Sequence, residues 1–375
     1  MMRFKTLLKH PADWMSGGKG DGSSVVVTSR VRLARNIEAK PFPGWADKSN
    51  RIDVLNSVRP AVEGLSEMKD AFSQSLDELT SVQKQVLVER HLISREQAAR
   101  GEGSATIVNR KQTYSFMVNE EDHLRMQAIR SGLKIREAHE GLVKIEDKLS
   151  ESLPLAFDTR LGYLTACPTN VGTGMRASAM LHLPGLVLSD EAGPTLQGVA
   201  RMRFAVRGFF GEGTESLGNL FQISNQSTLG ESEDEIITRL ERVIGDVETY
   251  ELNARQRLVE KDPDMILDRV GRAYGVLKYS YTIASKEALN LLSLLRLGAE
   301  LGLFEDDGVL RTCDLLLMDI QPAHLQLHAG RKLDAGLRDA IRAEIIRGRL
   351  QSLQPPAIGK LKPDNGGYPG ERDHE

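Results

Sequence analysis

Twelve residues at 167–178, CPTNVGTGMRAS, bring together a thiol, two glycines and an arginine. A thiolate can sit beside a cation, glycine lets the backbone approach a ligand, and a guanidinium donates two parallel hydrogen bonds to an oxyanion. The apolar residues 161–166 predict a buried strand that Pro168 and Asn170 end. A helix is then expected to open near Arg176, where its N-terminus would favour phosphate. A plain strand-turn-helix connection accounts for the same residues, so this run alone leaves both readings open.

Other arginines and carboxylates stand in similar surroundings. In Thr28-Ser29-Arg30-Val31-Arg32 the alternation of a strand puts Arg30 and Arg32 on one face, with Arg35 slightly further on. Such paired, permanently charged groups suit a polyphosphate; a solvated strand edge is the alternative. Arg125 follows Glu121 by four residues, and Arg207 opens Arg207-Gly208-Phe209-Phe210-Gly211-Glu212. Glu120, Glu121 and Asp122 in succession read in either of two ways. They cap a helix over 124–129, or Glu121 and Glu212 grip a cationic planar group from two loops while the arginines hold an anionic one. The chain has no GxxxxGK[ST], HRD, DFG, HExxH, CxxC or GxSxG sequence, which gives P-loop, protein-kinase-like, zinc-protease and nucleophile-elbow chemistry no footing.

The scaffold for these residues is read from composition and pattern. With 375 residues, 40% hydrophobic and 27% charged, the chain can bury a sizeable core and is expected to form two domains. A net charge of -3 offers no global field for nucleic acid, so any positive site must be local. Cys167 and Cys313 have neither metal-ligand nor disulfide spacing, which fits a reducing cytoplasm and predicts no metal site in the protein itself. No apolar run approaches the ~20 residues of a membrane span, and residues 1–22 lack the apolar core of a signal peptide, so a cytoplasmic protein without nucleic-acid or membrane partners is expected.

Along the chain, a short N-terminal helix and flexible loop occupy 1–24. An α+β domain over 25–261 is expected to hold an antiparallel β-sheet flanked by helices. Its hairpins are predicted at 105–108 with 113–118 and at 203–208 with 219–224, and its helices at 53–63, 81–91 and 232–261. After Asp262-Pro263 the pattern is all-helical to 353, with amphipathic stretches at 265–277, 286–303, 309–318 and 333–353. The Pro- and Gly-rich residues 354–375 predict a disordered tail.

Five separated runs resemble one family, the phosphagen (guanidino) kinases, and within it the bacterial branch that acts on arginine in proteins. They are TSRVRLARN at 28–36, NEEDHLR at 119–125, CPTNVGTGMRAS at 167–178, RGFFGEGTE at 207–215 and FQISNQ at 221–226, in the family's order and spread over 25–261. The resemblance implies ATP and Mg²⁺ as cofactors, the ion held mainly by nucleotide and water. It implies a nucleotide site made of Thr28, Ser29, Arg30, Val31, Arg32, His91, Arg125, Arg176, Ala177, Ser178, Ala179, Met180, Arg207, Gly208, Phe209, Phe210, Gly211 and Glu212. Glu121 is then the carboxylate that orients and deprotonates the guanidinium, Glu212 its partner, and Cys167 the flanking thiolate. A guanidinium, with a pKa above about 12, is a poor nucleophile until a carboxylate takes a proton as the N–P bond forms.

Kinases of free guanidino compounds that resemble this family carry a small helical domain before the catalytic one, where this chain has only residues 1–24. It has instead Arg338-Asp339-Ala340-Ile341-Arg342-Ala343, which matches the RDxxRA element that the protein-acting branch uses to bind phosphoarginine allosterically. Arg338 and Arg342 lie one helical turn apart on one face; without the resemblance they read as a solvated helix face. The resemblance implies a phosphoarginine site at Arg338, Asp339, Arg342 and Ala343, and a homodimer or larger homo-oligomer. It also implies protein substrates with exposed arginine, and as partners a Clp-type ATPase, a zinc-binding activator and a heat-shock repressor. The rival functions are a kinase for free arginine or another small guanidino metabolite, and a non-catalytic phosphoarginine-binding adaptor.

Overall fold

Valine and leucine alternate with arginine over residues 30–33 of β1 (Val26–Arg35), and a strand that must satisfy two different faces becomes the middle of a sheet. The computed structural model describes residues 2–9, 11, 12, 15, 25–208, 217–306 and 308–357. Within them the further strands are β2 (Phe72–Ser75), β3 (Ala105–Val108), β4 (Tyr114–Val118), β5 (Leu124–Ser131), β6 (Phe157–Asp158), β7 (Gly162–Tyr163), β8 (Met175–His182), β9 (Phe204–Gly208) and β10 (Leu220–Asn225). Apart from the small β6-β7 pair, they form one antiparallel sheet of eight strands in the order β2-β3-β4-β5-β1-β8-β10-β9.

One face of this sheet is the core. Helix α1 (Phe4–Leu8) packs beside β2, and α2 (Lys48–Glu63) covers β3 and β4. After α3 (Ser81–Glu89) and α4 (Arg95–Ala98) comes α5 (Ile135–Ser150). Its buried Ile135, Ala138, Leu142, Ile145 and Leu149 repeat at helical spacing and lie on Val31 and Leu33 of β1. Two short helices, α6 (Pro184–Leu188) and α7 (Ala192–Arg201), precede α8 (Glu233–Lys261). Helix α8 opens with a capping box between Ser232 and Glu235 and ends at Asp262, whose side chain caps α9 (Pro263–Tyr279) with Pro263 in its first turn.

The remaining helices are α10 (Ser285–Glu300), α11 (Val309–Asp319), α12 (Pro322–Ala329) and α13 (Ala335–Arg349). Their core of Val270, Leu289, Leu292, Leu316 and Ile346 also takes Met180 and Leu220 from the sheet, so the helical region packs onto the strands directly. A buried ionic seam reinforces this contact. Arg255 binds Glu251 at 2.5 Å and Glu300 at 2.7 Å, and Arg296 binds Glu300 and Asp314. His182 at the end of β8 lies between Ser293 Oγ at 2.8 Å and Arg296 at 3.0 Å.

The antiparallel sheet, the two hairpins and the helical C-terminal region agree with the sequence. Three local expectations do not. Residues 161–166 hold only the two-residue strand Gly162–Tyr163. No helix opens at Arg176: Cys167 is followed by a single 3₁₀ turn (Pro168–Asn170), and Arg176 lies on β8, paired with Arg32. Nor do the acids at 120–122 cap a helix, because 124–129 belongs to β5, bound on both sides by β4 and β1. Trp14, the loop at 16–24 and the tail beyond 357 lie outside the described residues.

Candidate active site

Period-two alternation turns Thr28, Arg30 and Arg32 to the face opposite α5, and antiparallel register lines up their partners. Arg32 stands between Gln127 of β5 and Arg176 of β8, Arg30 beside Ser178, and Arg207 of β9 beside Gln222 of β10. A cavity of about 900 Å³ covers this face. Its lining includes Arg30, Arg32, Arg125, Arg176 and Arg207, the acids Glu120 and Glu121, His91 after α3, and Ser285, Gln321 and Pro322 from the helical region.

So many cations in one buried place oppose one another. Burial, then Arg125 and Arg176, pulls Arg30 down to about 10, and burial, then Arg207 and Arg125, does the same to Arg176. Arg32 is lowered well below the usual guanidinium range, first by burial and then by Arg30, Arg125 and Arg176. Arg30 reaches Gln222 Oε1 at 3.1 Å and Arg176 reaches Ser224 Oγ at 3.0 Å, yet the Nε atoms of Arg32 and Arg176 are buried with no hydrogen-bond partner among the described residues. Donors left over in a like-charged cluster fit a polyanion such as a nucleotide triphosphate. His91 has a positive φ of 56° and its carbonyl accepts from Gln127 Nε2 at 2.7 Å. Burial, then Arg30 and Arg32, pushes its imidazole down to about 3, which keeps it neutral in the cavity.

The three acids divide their tasks. Glu120 is fully buried; its two oxygens accept from Arg125 Nη1 at 2.8 and 2.7 Å, and the Ser94 hydroxyl donates to it as well. Burial alone would raise its pKa, but Arg125 and Ser94 more than offset this and hold it below the usual range. Glu121 lines the cavity, and its carboxylate accepts no hydrogen bond among the described residues. Burial, then the charges of Asp122 and Glu120, raises its pKa above the usual carboxylate value, and with its carboxylate open to the cavity it is placed to take a proton.

Asp122 ties loops together. Its Oδ1 accepts from Asn36 Nδ2 at 2.7 Å and from the Ala166 N–H at 2.7 Å, while Asn36 Oδ1 accepts from the His123 N–H at 2.8 Å. The acid turn, the end of β1 and the segment before Cys167 are thereby joined. Cys167 is partly exposed, outside the cavity lining; its Sγ lies 3.0 Å from Thr169 Oγ1. Gly172 and Gly174, both at positive φ, face the chain itself and not a ligand: a Cβ would strike the Thr228 carbonyl at the first and the Ala34 carbonyl at the second. Arg35 lies on the core face of β1, fully buried. It is bidentate to Glu146 at 2.5 and 2.9 Å, stacks on Tyr163 at 3.4 Å and donates to the Thr173 carbonyl at 2.9 Å, so it fastens the Cys167 loop from behind.

Among the residues expected at a nucleotide site, Thr28, Arg30, His91, Ser178 and Met180 also share a small adjoining pocket. Of the other residues expected there, Val31, Ala177 and Ala179 have their side chains in the core, and the Ser29 hydroxyl donates to the Gly132 carbonyl at 2.7 Å. Gly208 ends β9, and Phe209, Phe210, Gly211 and Glu212 lie outside the described residues. On α13, Ala343 is in the core and Arg342 is only 2% exposed, so the expected shared face of Arg338 and Arg342 is not presented to solvent by both. Glu120, Asp122 and Asn36 sit inside runs that attract attention but were not singled out. Ser285, Gln321 and Pro322 have no sequence signal at all.

The sequence profile described as ATP:guanido phosphotransferase, C-terminal catalytic domain, matches residues 53–254. The chain belongs to this family. A second profile, Protein-arginine kinase McsB C-terminal domain, matches residues 263–361. Relatives within the family include the protein-arginine kinase of Halothermothrix orenii, 42% identical over 93% of this chain and 99% of that protein, and that of Moorella thermoacetica, 44% identical over 92% and 98%. Among solved family structures, lombricine kinase superposes with a TM-score of 0.55 at 25% identity, over 66% of this chain and 71% of that one. The duplicated taurocyamine kinase of Schistosoma mansoni, with bound transition-state-analogue components, gives 0.57 at 26% over 68% of this chain and 36% of that one.

Proposed function

We propose that the chain transfers the γ-phosphoryl group of ATP to the guanidinium of arginine residues in proteins. The observation that carries this reading is the cavity itself, where buried, mutually repelling guanidinium groups with unused donors face a carboxylate of raised pKa. Arg30, Arg32, Arg125, Arg176 and Arg207 would hold the phosphates and neutralise the equatorial oxygens as charge spreads over them. Glu121 would orient the acceptor guanidinium, through paired N–H···O bonds, and take its proton as nitrogen bonds to phosphorus and the ADP oxygen leaves. Cys167, fixed through Asp122 and Ala166, would place its sulfur beside the same guanidinium. Mg²⁺ arriving with the nucleotide supplies further charge neutralisation. Glu212, from the family's loop motif, is assigned as the second carboxylate.

Protein arginine is preferred to free arginine because the C-terminal region matches the protein-acting branch and the relatives named for protein arginine span nearly the whole chain. We assign the Arg338, Asp339, Arg342 and Ala343 element to phosphoarginine sensing, the helical region to self-association, and the tagged proteins to a Clp-type protease in the cytoplasm, with a zinc-binding activator and a heat-shock repressor as further partners. Incubation of the chain with Mg-ATP and an arginine-rich protein, followed by mass spectrometry without acid, tests the reading. Acid-labile phosphoarginine on the protein, lost in Glu121→Gln, is expected; rapid phosphorylation of free arginine with protein untouched, or ATP binding with no transfer, would sink it.

A further inference from the structure

Arg342 lies in the middle of α13, and its guanidinium is used inside the protein. Nη1 donates to the Ile283 carbonyl at 2.8 Å and Nε to the Ile320 carbonyl at 3.2 Å, with the Asp339 carboxylate also accepting from Nη1. Ile283 is held at both ends, since its N–H donates to the Asp339 carbonyl at 3.2 Å. A buried cation persists where its donors are met, and here two carbonyls from two separate chain segments meet them. Those segments lead straight to the cavity. Ile283 stands two residues before Ser285, and Ile320 immediately precedes Gln321 and Pro322; these three residues form the cavity's C-terminal side.

The path continues across that side to α3. The Glu89 carboxylate accepts from the N–H groups of Ala323 at 2.8 Å and His324 at 3.2 Å, and from His324 Nδ1 at 2.8 Å. Arg90 Nε donates to His324 Nε2 at 3.1 Å. Glu89 itself lines the cavity, and His91 follows two residues on. By contrast the side chain of Arg338, one turn before Arg342, makes no hydrogen bond among the described residues.

We propose that Arg342 is a positioning residue for the nucleotide: it pins the 283–285 and 320–322 segments, the second of which runs into the first turn of α12 that Glu89 holds from the other side, and so sets the wall that ATP meets. The proposal rests on the reading of the cavity as the ATP site. It gives the two arginines of α13 different tasks, Arg338 facing outward to a ligand and Arg342 transmitting the position of α13 to the cavity.

The test uses the full chain, with ATP affinity from equilibrium binding and kcat and KM from transfer to a protein acceptor. Arg342→Lys keeps the charge, but one ammonium cannot span two carbonyls as the planar fork does. It should raise the Kd and KM for ATP about ten-fold, with kcat and the acceptor KM within about two-fold, as expected for a displaced wall. Glu89→Gln should act in the same direction, and the double variant should be no worse than the worse single one because both act on one wall. Glu344→Ala, exposed on the same helix and without a hydrogen bond among the described residues, should match the parent. Parental ATP affinity in Arg342→Lys, a rise confined to the acceptor KM, or effects that multiply in the double variant would overturn the proposal. Should Arg342→Lys fail to fold, Glu89→Gln alone decides, and unchanged ATP affinity there overturns it. If the parent chain itself does not bind ATP, the functional reading fails instead.

Discussion

Asp122→Ala isolates the tie between the acid turn and the Cys167 loop. The substitution removes one oxygen that accepts from both Asn36 Nδ2 and the Ala166 N–H at 2.7 Å, in a residue 1% exposed. Each buried donor left unmet costs about 1–3 kcal/mol, so roughly 2–6 kcal/mol favours any movement that lets water reach the pair. The segment before Cys167 then keeps the Asn36 Nδ2 bond to the Leu164 carbonyl at 3.0 Å but loses its tie at Ala166, and it is the part expected to move. A displacement worth about 3 kcal/mol in the transition state lowers kcat roughly 10²-fold. ATP affinity should stay within about two-fold, because the arginines of the cavity stand on strands whose register this contact does not set. Asp122→Asn, which keeps an amide oxygen at the same place, should recover most of the turnover. The assay is steady-state phosphoarginine formation at varied ATP, with thermal unfolding alongside. Parental kcat in Asp122→Ala despite lowered stability, or a KM for ATP that rises in step with the loss of kcat, would refute the reasoning.

Other perturbations follow from the same electrostatics. Arg32→Gln should weaken ATP binding about 10-fold or more while raising the melting temperature without ligand, since it removes a buried charge repelled by three others; a destabilised variant would contradict this. Because Asp122 is the largest charge effect raising Glu121, Asp122→Asn should move the acidic limb of the kcat/KM profile to lower pH, the base being ionised further down; an upward or absent shift would count against Glu121 as the base. His182, lowered to about 4 chiefly by burial, with Glu300 opposing and Arg296 assisting, stays neutral in the fold while the unfolded chain takes a proton near pH 6.5. Stability attached to it is therefore present above about pH 6.5 and lost as pH falls toward 4, with a ceiling of about 3 kcal/mol, and His182→Gln should flatten that part of the pH-stability curve measured by denaturant melts.

The chemistry was legible in the sequence mainly through residue types that repeat on a strand. Arg30 and Arg32 two apart, and Glu121 beside Arg125, needed only the strand period and the resemblance to be grouped. The same period, applied to every position, also separates the core-facing side chains of Val31, Ala177 and Ala179 from the cavity-facing arginines. Arg176 was read on the wrong element because the glycines and proline before it resemble a turn into a helix. What they serve is a close crossing of Gly172 past Thr228 and of Gly174 past Ala34, a long-range contact without a local signal. Helix α5 carries clear helical spacing from Ile135 to Leu149 yet has no counterpart among the expected elements. The C-terminal wall is different in kind: Ser285, Gln321 and Pro322 follow two carbonyls held by a buried arginine twenty or more residues away in the chain, and no local pattern of sequence signals that arrangement.

The two-faced character of β1 also limits how the gene can vary. Gaining or losing one residue between Thr28 and Arg35 would carry every side chain beyond that point to the opposite face, sending Arg32 into the packing under α5 and Leu33 toward the cavity. Substitutions there can be absorbed one at a time, but length changes cannot. Variation in length among functional descendants should therefore gather in the turns, such as 109–113 between β3 and β4, while this strand keeps its count.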